Sequence, residues 1–471
     1  MESSTKPLKR HAIVLGGSFA GLMTAKVLSS HYQQVTVVEK DKVHHCPESR
    51  KGQSHTRHLH GLLPTALHIL STYFPGLIEE IHDHGGVVND FGTSMNWYTH
   101  GGFKKNVFLG IPGVSLSRPL LEYLVRERVL SVPNIMLIDN TTVKDYLYQP
   151  DQQKISGVIV EGKEGMLPGN IEADLVVDCS GRGSRTPQWL KEMGYGEVPV
   201  DEVKINVTYT TRLYQRDPDD FRSRTWMACT PEAPAERRNG AVFPIEGNRW
   251  IISVGGWHGE KAATEEDEFL DFLKTLPNPN IYDIASTCQP ISDIIQYRYP
   301  ISIKKNYEKM RRFPLGLLIL GDAISSFNPV YGQGMASVGL QAVELDKLMG
   351  QNVDERRLAK TYFKRIVKIK NKLWEMSTGE DFRFAETAGT RPFAINLINK
   401  YVSLVHRATN RDEKVCKAFL KVMGLIAPSL ILFSPSILWR TLRANYAVTS
   451  AAEITATAEP DRETAPTLQS S

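Results

Sequence analysis

Cysteine is sparse in this chain: Cys46, Cys179, Cys229, Cys288 and Cys416 lie far apart, with no CxxC pair among them. That spacing argues against a disulfide framework or a zinc ribbon and fits a reducing compartment. An excess of charge of one sign is also missing. A formal charge of +4 over 471 residues, with Lys and Arg mixed among Asp and Glu, offers no basic face for nucleic acid. Long apolar runs are absent too. The stretch VMGLIAPSLILFSPSIL is uncharged over 17 residues, the lower edge of a membrane span, but holds two prolines and is followed by Arg440, with Lys421 just before it. It is expected to be buried or docked at a surface, so that membrane contact, if any, is peripheral. Met1 to Lys9 is polar, so a secretory leader is not expected and a cytoplasmic location is the default. With 41% hydrophobic and 23% charged residues, the composition is that of a globular protein of two or three domains.

What the chain does carry begins near its start. A β-forming run, His11 to Leu15, meets Gly16-Gly17-Ser18-Phe19-Ala20-Gly21; a helix-like segment follows to Ser30, and Val35 to Val38 leads into Glu39. Strand, glycine turn, helix and a second strand closing on a carboxylate describe a dinucleotide site. Gly16 permits the tight turn, Gly17 and the small Ser18 let the backbone approach a diphosphate, and Gly21 permits close helix packing. Glu39, 23 positions after Gly16, is placed to accept hydrogen bonds from ribose hydroxyls. The literal G-x-G-x-x-G is not present, because Ser18 stands at its third position. The hexapeptide alone would fit an ordinary turn; the flanking strand, helix and Glu39 favour the dinucleotide.

Further along, His44, His45, Cys46, His55, His58 and His60 crowd one polar segment. A metal site is not expected there, since His58 and His60 alternate as on a strand and zinc-enzyme spacing is lacking. The segment reads either as a loop over the cofactor, with Arg57, His58 and His60 as donors, or as a satisfied surface loop. ALHILSTYF has a helical pattern, and SMNWYTHGGF is strand-like. Ser117 caps the helix of LLEYLVRERVL, and Arg118 in its first turn is either a cofactor contact or a surface arginine. ADLVVDCSG ends in a second strand-to-glycine junction, Asp178 to Arg185, which either closes over a dinucleotide or merely turns into the next helix.

From Gly194 to about Pro290 the pattern alternates as half-buried antiparallel strands do, with Asn239-Gly240 and Gly247-Asn248 as turn signals. Its aromatics Tyr209, Phe243, Trp250 and Trp257 are, taken singly, expected in the core. The most specific motif is GLLILGDAISSFNPVYGQGM: a buried strand over Leu315 to Leu320, Gly321-Asp322 at its carboxyl end, and Pro329 to Gly334 leading into a helix from Met335. An aspartate there can accept from a sugar-alcohol chain, and backbone amides at the helix N-terminus can stabilise negative charge. Val343 to about Ala444 is helical in pattern, and the Ala-, Ser- and Thr-rich tail reads as disordered.

Together, GGSFAG with Glu39, Arg118 before its helix, DCSGRGSR and GDAISSFNPVYGQGM resemble the FAD-dependent monooxygenases of the p-hydroxybenzoate hydroxylase fold. RHLHGLLP, GRGSRTPQWL and FNPVYGQGM look most like the polyether-type (polyene) epoxidases related to squalene epoxidase. The resemblance runs from about Ala12 to Leu442. It implies an α/β fold: a Rossmann-like FAD-binding domain of the glutathione-reductase type over 8–65, 110–190 and 295–350, an inserted antiparallel β-sheet substrate domain over 66–109 and 191–294, a C-terminal helical region over 351–445 and a disordered tail over 446–471.

By the same resemblance Gly16, Gly17, Gly21 and Glu39 would hold the ADP half of FAD, Asp322 the ribitol, and Arg118 would lie along the cofactor. Ser18, Ala20, Lys40, Arg57, His58, Gly181, Gly321, Gly334 and Met335 complete the expected cofactor set. Pro329, Gly332, Gln333 and Gly334 are the expected catalytic positions, facing the isoalloxazine ring. The implied activity is insertion of one oxygen atom from O2, via a flavin C4a-hydroperoxide, into a lipophilic polyene or aromatic secondary metabolite. Where hydroxylases of this fold show Asp-Gly, this chain has Ser180-Gly181, so NADPH or NADH is expected as reductant either directly or through a flavin reductase. The alternatives are a reductase of isolated double bonds resembling geranylgeranyl reductase, and a flavin halogenase. For the halogenase the WxWxIP string is missing, and neither Trp226 nor Trp250 substitutes for it.

Overall fold

The computed structural model describes residues 9–162, 169–220, 222, 225–351 and 353–456, with the backbone alone for 51 and 447–456. The N-terminal strand β1 (Lys9–Leu15) runs through the glycine turn into α1 (Phe19–Ser29) and returns as β2 (Tyr32–Val38). Later come α2 (Pro64–Tyr73), β3 (Met95–Thr99), α3 (Arg118–Leu130), β4 (Ile135–Ile138) and β5 (Leu175–Asp178). Ala12 to Leu15 are apolar without a break because both faces of β1 are covered. β1 pairs in parallel with β2 on one side and β5 on the other, placing Val14 beside Val37 and Val177.

The second sheet is built mainly from β6 (Val200–Gln215), β7 (Trp226–Cys229), β8 (Arg238–Ile245), β9 (Arg249–Gly256) and β10 (Ile295–Lys305). The chain then re-enters the first sheet as β11 (Leu317–Ile319) and finishes in helices α4 (Gly334–Met349), α5 (Glu355–Asp381), α6 (Ile395–Thr409), α7 (Glu413–Met423) and α8 (Pro435–Ala456). The parallel sheet has the order β11-β5-β1-β2-β4. The carboxyl ends of β1, β5 and β11 therefore lie side by side, where open α/β sheets bind their ligands.

The larger sheet has eight strands, with β10-β6-β9-β8-β7-β3 as its central order. One face, with Met227, Val242, Ile252 and Val254, is buried under the helices Glu266–Lys274 and Asn280–Thr287. On the other face the register lines up Thr211, Ser253, Ala241, Ala228 and Trp97 across five strands. Part of this face packs against α5 to α8: Trp97 and Trp226 share a cluster with Val405, Val415 and Phe419, and Val207 shares one with Leu373 and Trp374.

Several elements differ from the sequence reading. Asn239-Gly240 is no turn but lies inside β8, paired to Gly255 and Val254. Gly240 leaves room for the covering side chains: a Cβ there would stand 2.8 Å from Leu276 Cδ1 and 3.0 Å from Ile281 Cδ1, so these would have to shift. Residues 295–305 form β10 of the larger sheet. Ala66, Leu67 and Leu70 of α2, with Leu77 and Ile81 beyond it, share the core of β1. The apolar stretch 422–438 is divided among the end of α7, a short 3-10 turn over Ser429–Phe433 and the start of α8. Among the described residues no helix is long and apolar enough to cross a membrane. The tail expected over 446–471 falls on α8 as far as Ala456; from 457 it lies outside the described residues.

Candidate functional site

The glycine turn is as tight as its sequence implies. Gly16 has φ +99°, and a Cβ at Gly21 would stand 1.7 Å from the Gly16 carbonyl oxygen, so α1 meets β1 at a distance that only glycine allows. Glu39 reaches back from the end of β2 and accepts from the Gly17 amide at 2.7 Å and from the Asp41 amide at 2.9 Å. Lys40, one residue on, is exposed. Ala20 packs beneath the third junction, where a Cβ on Gly321 would meet its own at 3.0 Å.

Behind the turn is a buried ionic cluster that joins α1, α3 and the polar segment after β2. Glu122 accepts from Arg50 at 2.8 Å, Gln53 at 3.1 Å, Ser18 Oγ at 2.9 Å and Arg118 at 3.4 Å. Arg50 also pairs with Glu39 at 3.2 Å. Burial raises the Glu122 carboxyl, but Arg118 and Arg50, with the Ser18 and Gln53 bonds, outweigh it and leave it below the usual carboxylate range. Arg118 lies over the Phe19 ring, and its Nε is buried with no hydrogen-bond partner.

At the second junction Asp178, almost wholly buried, gathers the loop onto itself: Oδ1 accepts from the Ser180 amide and hydroxyl, and Oδ2 from Ser184 and Thr186. Gly181, at φ +82°, has nothing within 4 Å of where a Cβ would be. The third junction supplies Asp322, whose side chain is open to solvent although its flanks are enclosed, as befits a residue lining a cleft. The walls of that cleft strip solvent from the carboxyl and push it up to about 6, against the opposing charges of Arg118, Arg182 and Lys305. Arg182 lies over the Tyr299 ring at 4.6 Å.

The loop from Pro329 runs beside the polar segment: a Cβ on Gly332, at φ +65°, would sit 3.5 Å from the Gly61 carbonyl oxygen. Gln333 is buried, and its Oε1 has no partner among the described residues. Gly334 opens α4 with nothing within 4 Å of a Cβ. Met335 is packed in the core. Of the expected donors of the polar segment, Arg57 is exposed, while His58 is turned onto the larger sheet. Its Nδ1 meets Thr211 Oγ1 at 2.7 Å and its ring lies edge-on to Tyr209. Burial, helped by neighbouring positive charge, lowers His58 to about 4 and His60 to about 3, so both are neutral at pH 7.

These residues fit a long dinucleotide with a diphosphate at its centre. Backbone comes close at Gly16 to Gly21, Arg118 offers an unspent donor, and two glycines, Gly181 and Gly334, flank open space that side chains would fill. Sequence reasoning missed Arg50, Gln53, Glu122, Arg182 and Lys305. Glu122 carried a signal, an acid four residues after Arg118 within an apolar helix face; the others had none.

The model of the family described as FAD binding domain matches residues 9–347. Protein Rv3254 of Mycobacterium tuberculosis is 28% identical over 457 residues, which cover 93% of this chain and 94% of that protein. The flavin-dependent brominase Bmp2 superposes with a TM-score of 0.62 at 12% identity, over 94% of this chain and 100% of its own. PqsL of Pseudomonas aeruginosa, described as a probable FAD-dependent monooxygenase, gives 0.61 at 14% identity over 80% of this chain and 97% of its own. At such identities the structural likenesses establish the fold alone. None of these proteins is described as a polyene epoxidase, so the likeness to that branch rests on the short strings RHLHGLLP, GRGSRTPQWL and FNPVYGQGM.

Proposed function

The chain belongs to the FAD-binding-domain family and has the p-hydroxybenzoate hydroxylase fold, and on that premise we propose that it is an FAD-dependent monooxygenase acting on an alkene or aromatic ring of a lipophilic small molecule. The observation that carries the reading is the polar segment that links loop and sheet: Gly61 lies against Gly332 of the Pro329–Gly334 loop, while the neutral His58 and the Leu59 amide bond to Thr211 and Ser253 of the larger sheet.

Bound FAD, reduced by NADPH or NADH or through a separate reductase, would supply the electrons that activate O2. The chain's own residues do the rest. Glu39 would accept from ribose hydroxyls and Asp322 from the ribitol, while Arg118 and Arg182 balance the diphosphate. The free amides at the start of α4 would stabilise negative charge developing near Gly332 to Gly334. Tyr209 and Tyr297, packed round His58, would exclude water from the reacting face. No side chain is assigned as a general base.

The test is turnover under 18O2 with reduced FAD and a panel of polyenes and fused aromatics. One labelled oxygen atom per product, with O2 uptake dependent on substrate, is expected. A product that has gained two hydrogens and no label would replace this reading with the double-bond reductase.

A further inference from the structure

Taking as given that the Pro329–Gly334 loop faces the cofactor, we propose that Asp381, the last residue of α5, is a positioning residue that fixes this loop against the larger sheet. The C-terminal helices would then form part of the active-site architecture, in addition to covering a sheet face.

Asp381 is fully buried, and one of its oxygens, Oδ1, accepts three hydrogen bonds from two other parts of the molecule. Trp257 Nε1, just beyond β9, donates at 3.0 Å; Asn328 Nδ2 donates at 2.8 Å and the Tyr331 hydroxyl at 3.0 Å, both from the loop. Asn328, itself fully buried, is held at both ends, because its Oδ1 accepts from the Val330 amide at 3.2 Å and closes the turn that carries Pro329. Thr387 Oγ1 donates to the Asp381 carbonyl at 2.7 Å, and His258 Nε2 contacts that hydroxyl at 2.9 Å, so the strap after α5 is tied to the same end of β9.

Among the described residues the carboxylate has no ion-pair partner that would explain its place. The neighbouring Arg383 is committed to Glu380, Ser403 and the Asn399 carbonyl. A buried acid with three neutral donors and one unpartnered oxygen is retained where its acceptor geometry is needed. Charge also shortens and strengthens such bonds, which suits a loop that must hold its backbone amides in register. Burial pushes the carboxyl up to about 6 against the pull of the three donors, with Glu380 adding to the rise.

Hydrogen–deuterium exchange of the FAD-free protein, together with the visible circular dichroism of the FAD-loaded protein, tests this. In Asp381→Ala the peptide over 327–334 should exchange at least about tenfold faster, as loss of about 1.4 kcal/mol of local stability requires. The glycine turn at 16–21 should be unchanged, and the flavin dichroism should differ from wild type. Asp381→Asn, which keeps an acceptor oxygen, should restore most of both signals, and Asp412→Ala, which uncaps α7 elsewhere in the same region, should move neither. Should Asp381→Ala fail to fold, Tyr331→Phe removes one donor and should give a smaller shift in the same direction. Wild-type exchange over 327–334 in the folded Asp381→Ala or Tyr331→Phe protein would overturn the proposal, as would an Asn variant no better than the Ala variant. Failure of the wild-type protein to take up FAD would instead remove the functional reading, and the exchange result would still decide whether Asp381 holds the loop.

Discussion

Asp322 shows how one side chain can report on the site. Its folded-state pKa is raised to about 6, so in the ligand-free protein ionisation is disfavoured, and the resulting loss of stability builds as pH rises from the ordinary aspartate range to about 6 and is constant above it. Ribitol hydroxyls donating to the carboxylate would reverse the preference. FAD affinity should therefore fall as pH drops below about 6, by up to about tenfold per pH unit, because protonation must be undone for binding. Asp322→Asn should lose that slope, and equilibrium titrations between pH 5 and 8 would reveal it; parallel slopes in both proteins would refute the role. Residues such as Gly16, Gly21 and Asp322 were legible in the sequence because their chemistry is local: a turn, a close approach, a carboxylate at a strand end. His58 was singled out as a donor, but its setting was not legible, because its partners Thr211 and Tyr209 are about 150 positions away and only the fold brings them together.

At the scale of elements, α3 is held to the glycine turn through a single acid. Glu122 engages Ser18, Arg50, Gln53 and Arg118 in a buried setting, and removing it leaves Arg118 without its carboxylate and Arg50 with Glu39 alone. Glu122→Ala should cost about 3–5 kcal/mol of stability, whereas Glu122→Gln, which keeps an acceptor for Ser18 and Gln53, should cost less. Chemical denaturation of the FAD-free protein measures the difference, and equal losses would mean that packing, not charge, sets the cost. The helix itself was readable in advance: Ser117 Oγ accepts from the Leu120 amide at 3.2 Å, as its capping position implied. The strand β8 was misread at Asn239-Gly240 because a dipeptide favoured in hairpin turns is overridden when strands pair on both sides and helices press on the glycine.

Across the whole molecule, the parallel sheet with its glycine turn and the inserted antiparallel sheet were both legible, since periodicity distinguishes strands covered on two faces from strands that alternate. How the sheets meet was not, and neither was the part played by the C-terminal helices, whose apolar faces show no partner until Trp97, Trp226 and Val207 are seen against them. The cofactor is proposed to lie in the open space beside Gly334 and Gly181. Titration of the FAD-free protein with FAD, comparing wild type with Gly334→Val, tests that placement most directly, because the surroundings of Gly334 leave room for the added side chain. One FAD per wild-type chain is expected, with a variant that unfolds at the wild-type temperature yet binds at least about tenfold more weakly, a loss of about 1.4 kcal/mol. Equal affinity in the two proteins, or no FAD binding by the wild type, would contradict it.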